Sequence, residues 1–184
     1  HRLIRRQRQM CIRDSYETAE HEPCVLNTMH LKNPITADSF KIHAPAGAKK
    51  VKALVMDTLP YMPFTNRRDV ELPVVDGVVQ CDVEQDVLYI AQVERHGKNG
   101  NVGKAFMGGF HIRGGAMASS VGHDNHNIIV MGDSFEDMAL AVNRCVELGG
   151  GQVIVRSGKV AAEVAYPICG LLSDCLLYTS PSPR

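Results

Sequence analysis

The chain has 184 residues, of which 45% are apolar and 22% charged, enough for one globular domain with a substantial core. No apolar run is long enough to cross a bilayer, and none has the charged, apolar and small-residue layout of a signal peptide. The formal charge of zero is misleading, because the two ends and the body differ.

"RRQRQMCIRDS" (Arg5 to Ser15) and "CLLYTSPSPR" (Cys175 to Arg184) resemble the translated arms of a transposon-type sequencing adapter. Residues 1–15 and 175–184 are therefore expected to be non-native tails, with the domain at 16–174. For Arg2 to Arg13 the alternative is a basic nucleic-acid-binding arm, but the adapter reading explains both ends at once. Six of the 20 Lys and Arg lie in these tails, against one acid, Asp14. The body keeps 14 basic and 19 acidic residues, a formal charge of −5, which argues against nucleic acid as the main partner. Cys24, Cys81, Cys145 and Cys169 remain, widely spaced and without a C-x-x-C pair. Free thiols in a reducing cytoplasm are expected, with Cys81 and Cys145 buried.

Residues 16–38 read as a connector broken at "EPC" and "NPIT". "TADSFKIHA" predicts a turn and a short strand, and "KKVKALVMDT" a strand over 50–57. "LPYMPFTNRR", with two prolines and an asparagine, reads as a loop. "DVELPVVDGVVQCD" splits at Asp76-Gly77, a hairpin signal between β-branched runs. "DVLYIAQVERHG" is the best strand of the first half, and its two-sided apolar start predicts a central position. Seven glycines between Gly97 and Gly115 predict loops, tight turns and close backbone approach. Their spacing fits neither a phosphate-binding loop nor a dinucleotide fingerprint. "GDSFEDMALAVNRCVELGGG" predicts a helix over about 134–148, capped by Asp133 with Glu136 and ended by Gly149. Phe135, Met138, Val142 and Cys145 form its apolar stripe. "GQVIVRSGKVAAEVAYP" reads as strand, Ser157-Gly158 turn and strand. The succession defines an α+β domain: a mixed β-sheet with hairpins and one main amphipathic helix.

Two clusters invite chemistry. "SSVGHDNHNIIV" places His123, Asp124, His126 and Asn127 at the mouth of an apolar strand, after Ser119 and Ser120. A three-residue spacing would let two imidazoles share a metal on a helix, whereas on a strand it puts them on opposite faces, and the run into "NIIVMG" favours strand or loop geometry. The bland alternative is a polar loop capping the strand. Glu94, Arg95 and His96 end the best strand, where open sheets place ligand groups; a surface Arg–carboxylate pair is the alternative there. "HEPC" (21–24) lacks the spacing of a zinc deaminase signature, and "GGAMASS" lacks a nucleophile elbow.

The ordered set "GAMASSVGHDNHNIIV", "DMALAVNR", "GGGQVIV…GKV" and "PICGLLSD" is similar to the C-terminal region of bacterial adenine deaminases, in the amidohydrolase superfamily. The resemblance reaches back to about residue 25 and departs at Gly122, Asn125 and "FHI". It implies a C-terminal domain whose polypeptide also carries a metal-dependent barrel. That barrel would hold a binuclear manganese or iron centre and hydrolyse adenine to hypoxanthine and ammonia. No metal ligand is expected in this chain, and the chain alone is expected to be inactive. The resemblance implies that His123, Asp124 and His126 are candidate catalytic residues facing the barrel mouth. Asn127, Ser119, Ser120, Glu94, Arg95 and His96 are candidates for binding substrate or supporting that set. Adenine and the N-terminal barrel are the expected partners, with a homo-oligomer also open, and neither nucleic acid nor membrane is expected. A purely structural or subunit-contact domain, or a free-standing nucleotide-binding module, are the rival readings.

Overall fold

The computed structural model describes residues 20–62 and 64–174. The adapter-like ends, 1–15 and 175–184, lie outside the described residues. Strand-forming runs alternate along the chain as β1 (Lys50–Thr58), β2 (Thr65–Val75), β3 (Val78–Val79), β4 (Leu88–Val93) and β5 (Val102–Gly108). They continue as β6 (Gly115–Ser119), β7 (Ile128–Gly132), β8 (Gly151–Arg156) and β9 (Lys159–Ala165). A short helix α1 (Pro23–Leu26), a 3-10 turn (Ala37–Phe40) and the main helix α2 (Phe135–Glu147) complete the described elements. The strands form one open sheet in the order β3-β2-β1-β5-β4-β7-β6-β8-β9, antiparallel except where β1 meets β5. The α+β class expected from the sequence is what is found.

Alternation puts one side of this sheet into the core. Tyr89, Ala91 and Val93 of β4, Ile128 and Val130 of β7, Ala116 and Ala118 of β6, and Val153 and Val155 of β8 are all buried in one cluster. Helix α2 packs against β6, β7 and β8 on this side. Met138, Val142 and Cys145 are fully buried on its apolar stripe, while Phe135 is half-buried. Each such aliphatic burial contributes about 1.5–3 kcal/mol. β4 stands fifth of nine, the central position its two-sided apolarity predicted.

Local expectations met several corrections. Ser134, not Asp133, caps α2: its Oγ accepts the Asp137 N–H at 3.3 Å. Asp133 instead accepts the N–H groups of Gly114 at 2.6 Å and Gly115 at 2.9 Å, fastening the turn before β6. β2 begins at Thr65, inside the stretch expected to be a loop, because it pairs with β1 along its whole length to Lys50↔Pro73. The short strand expected after the 3-10 turn is a single bridge, His43 to Val78. The glycine-rich stretch holds the strand β5 and the first residue of β6. Two of its in-strand glycines serve close approach: a Cβ on Gly108 would stand 2.2 Å from Asp57 Oδ1, and one on Gly115 2.2 Å from the Val155 carbonyl oxygen. The Asp76-Gly77 and Ser157-Gly158 hairpin turns form as expected, with positive φ at all four residues. Cys145 is buried and Cys81 half-buried. Burial pushes both thiols up, Cys81 to about 11.

Candidate active-site bend

Between β6 and β7 the chain turns sharply at Gly122–Asn127. The His126 N–H donates to the Gly122 carbonyl at 2.8 Å, and the Asn125 N–H to the His123 carbonyl at 3.0 Å. Asp124 (φ 68°) and His126 (φ 51°) both occupy the left-handed region, which costs a non-glycine residue about 1 kcal/mol or more. Asn127 Oδ1 adds to that cost, being buried and without a hydrogen-bond partner among the described residues. Even so, His123, Asp124, Asn125 and His126 are exposed. His123 Nδ1 lies 2.9 Å from Asp124 Oδ1, with both side chains almost fully in solvent.

The end of β4 holds this conformation from below. Gln92 donates its side-chain amide N–H to Asn125 Oδ1 at 3.0 Å. His96 Nε2 lies 3.0 Å from the Asn125 carbonyl oxygen. Arg95, 3% exposed, donates from Nε to the His126 carbonyl. Its Nη1 reaches the Thr28 carbonyl at 3.0 Å and its Nη2 the Cys169 carbonyl at 3.1 Å. One planar guanidinium therefore ties the bend to two distant segments, a geometry its rigid fork of donors suits. Among the described residues no carboxylate pairs with it, and burial pulls its pKa down.

Glu94 works on the other side of the strand end. Its carboxylate accepts the N–H groups of His96 at 2.5 Å, Lys98 at 3.1 Å, Asn99 at 3.3 Å and Gly100 at 3.1 Å. Burial pushes the carboxyl pKa up, but these four donors outweigh it and hold the group below its ordinary value. Ser120 is fully buried; its Oγ accepts the Gly151 N–H at 2.8 Å and donates to the Gly170 carbonyl at 2.5 Å. Ser119 Oγ accepts the Val121 N–H at 3.2 Å.

The candidate residues thus fall into two sets. His123, Asp124 and His126 present solvent-exposed side chains, the first two against each other. Glu94, Arg95 and Ser120 direct their polar atoms at this chain's own backbone, and His96 joins the two sets through Asn125. The Arg–carboxylate pair considered for Glu94 and Arg95 does not form. Gln92 was missed by sequence reasoning; its place on the second face of β4, beside the start of β7, was its only signal. Among the described residues, no group of three or more His, Cys, Asp or Glu side chains converges to hold a metal ion. The described residues therefore do not supply the donor set of a binuclear centre.

Fold and bend define the class: a non-barrel α+β domain that stiffens one polar bend and offers it outward. The adenine deaminase C-terminal domain family matches residues 63–179. An adenine deaminase of Clostridium botulinum (strain ATCC 19397 / Type A) is 49% identical over 149 residues, covering 81% of this chain and 25% of its own length. One of Moorella thermoacetica is 46% identical over 150 residues, covering 82% and 25%. One of Methylobacterium nodulans is 45% identical over 141 residues, covering 77% and 24%. The chain belongs to the adenine deaminase family and corresponds to its C-terminal domain. It spans about a quarter of the length of the curated relatives it matches.

Proposed function

We propose that this domain serves a metal-dependent adenine deaminase in which a separate amidohydrolase barrel of the same polypeptide converts adenine and water to hypoxanthine and ammonia. The hydrolysis belongs to a binuclear manganese or iron centre held by that barrel, with ligands outside this chain. The domain supplies the bend. A left-handed, partly unsatisfied conformation persists only where its surroundings over-determine it, and such sites cluster where function is built. That combination of a costly backbone, a buried anchor and exposed imidazoles carries the proposal.

In this reading His123, Asp124 and His126 face the barrel mouth. The amino nitrogen that leaves adenine needs a proton, which a histidine side chain can deliver. Asn127, His96 and Ser119 border the purine or the side chains that touch it, while Arg95 positions the bend and Glu94 and Ser120 fasten the backbone beside it. The reading also carries a cytoplasmic location and a role in adenine breakdown or salvage. Among the described residues no helix is long and apolar enough to cross a membrane.

The test is alanine replacement at the positions of His123 and His126 in a full-length relative. Turnover of adenine should fall on the order of 100-fold in at least one variant. Both side chains are exposed, so folding stability should change by less than about 0.5 kcal/mol. Unchanged turnover in both variants, with altered melting or assembly, would instead assign the domain a structural role.

A further inference from the structure

The side of the sheet opposite α2 is not fully covered. Leu88 and Met131 on it are buried, but Leu54 is 48% and Ile154 46% exposed. Between them lies a hollow of about 300 Å³, lined by Met56, Ile90, Gln92, Gly103, Ala105 and Ile129 among others. The register explains it. Ile90 stands opposite Ala105, and Gln92 stands between Gly103 and Ile129. Two very small residues on β5 leave the middle of this face thin. A Cβ on Gly103 would meet only one atom within 4 Å, the Gln92 carbonyl oxygen at 3.9 Å. Among the described residues, Lys104 is the one charged member of the hollow's lining, and its Nζ donates to the Lys41 carbonyl at 2.8 Å; the rest is apolar or neutral, which suits a protein surface better than a phosphate or a nucleic acid.

We propose that this face is the seat on which the upstream, catalytic part of the polypeptide docks, with an apolar side chain of that part filling the hollow. The inference rests on the functional reading above and adds the surface through which it operates. Two observations select this occupant. About three-quarters of the relatives' length lies outside the region this chain matches, so a large body of polypeptide needs a contact surface on this domain. Gln92 also belongs to both features: it lines the hollow and holds Asn125 of the bend. A body seated here is therefore adjacent to His123–His126, and the docking contact sets the distance between bend and active site.

The test uses a full-length relative, such as that of Moorella thermoacetica, with Ala105→Cys at the matching position and a benzophenone-maleimide attached. Leu54→Cys, at an exposed position, serves if the first variant does not fold. Unlabelled and ¹⁵N-labelled chains are mixed before irradiation, and crosslinked peptides are identified by mass. The expected result is crosslinking within one chain, to peptides upstream of the domain. Crosslinks between labelled and unlabelled chains would put a second copy on this face and overturn the proposal. Crosslinks confined to the domain's own peptides would leave the face to solvent and also overturn it. Adenine turnover of the relative with alanine at the positions of His123 and His126, measured alongside, tests the functional reading separately.

Discussion

Gln92 reaches across from the centre of the sheet to Asn125, its side-chain amide nitrogen 3.0 Å from Asn125 Oδ1. The same oxygen accepts the Asn127 N–H at 3.0 Å, so one side chain of β4 governs the exit of the bend into β7. Gln92→Ala removes a single partly exposed hydrogen bond, worth about 1 kcal/mol. In a full-length relative it should lower adenine turnover roughly fivefold, if the whole contribution is felt in the transition state. Melting should move little. Steady-state kinetics beside thermal unfolding separates the two effects.

Arg95 carries a heavier load because it is buried and bonds three carbonyls on separate segments. Arg95→Ala should cost about 3 kcal/mol by leaving those acceptors unpaired. Arg95→Lys should recover only part of it, since one ammonium lacks the planar fork. Urea unfolding of the three proteins gives the order wild type, Lys, Ala.

For Glu94 the sign of the pH effect follows from its lowered pKa in the folded state. The carboxylate's stabilisation is fully present above the unfolded value, about 4.3, and is lost as the pH falls through the lower folded value. Glu94→Gln should therefore be less stable than wild type at pH 7, and the gap should narrow progressively below about pH 4. Denaturant midpoints measured from pH 7 down to pH 3 check this. A gap constant across that range would mean that the carboxylate's charge is not what holds Lys98–Gly100.

Ser134→Ala should destabilise by about 1 kcal/mol through the loss of the α2 cap. Asp133→Ala acts elsewhere, freeing the N–H groups of Gly114 and Gly115 at the start of β6. Hydrogen exchange should rise at the first turn of α2 in the former, and at Gly114 and Gly115 in the latter.

What the sequence disclosed was local or periodic. The stripe Met138, Val142, Cys145 shows as a helix, and the two-sided apolar run of β4 shows as a central strand. The dipeptides Asp76-Gly77 and Ser157-Gly158 show as turns because their φ requirements are written in the residue types. The ordered motifs from Gly115 to Asp174 disclosed the family. What stayed hidden depends on contacts distant in the chain. Gly108 and Gly115 looked like loop residues because the groups that crowd them, Asp57 and Val155, come from other strands. Asp133 and Ser134 compete for one cap, and the loser is decided by the turn before β6. The bend was visible as a cluster of polar residues, but its anchors Thr28, Gln92, Arg95 and Cys169 are scattered over the chain. Nothing local tells a guanidinium that grips carbonyls from one that pairs with an acid.

The most direct measurement is the structure of a full-length relative with a purine analogue bound. The proposal predicts a ring nitrogen of His123 or His126 within hydrogen-bond reach of the analogue or of a group touching it, about 3 Å. A bend facing bulk solvent, remote from the bound purine, would contradict it.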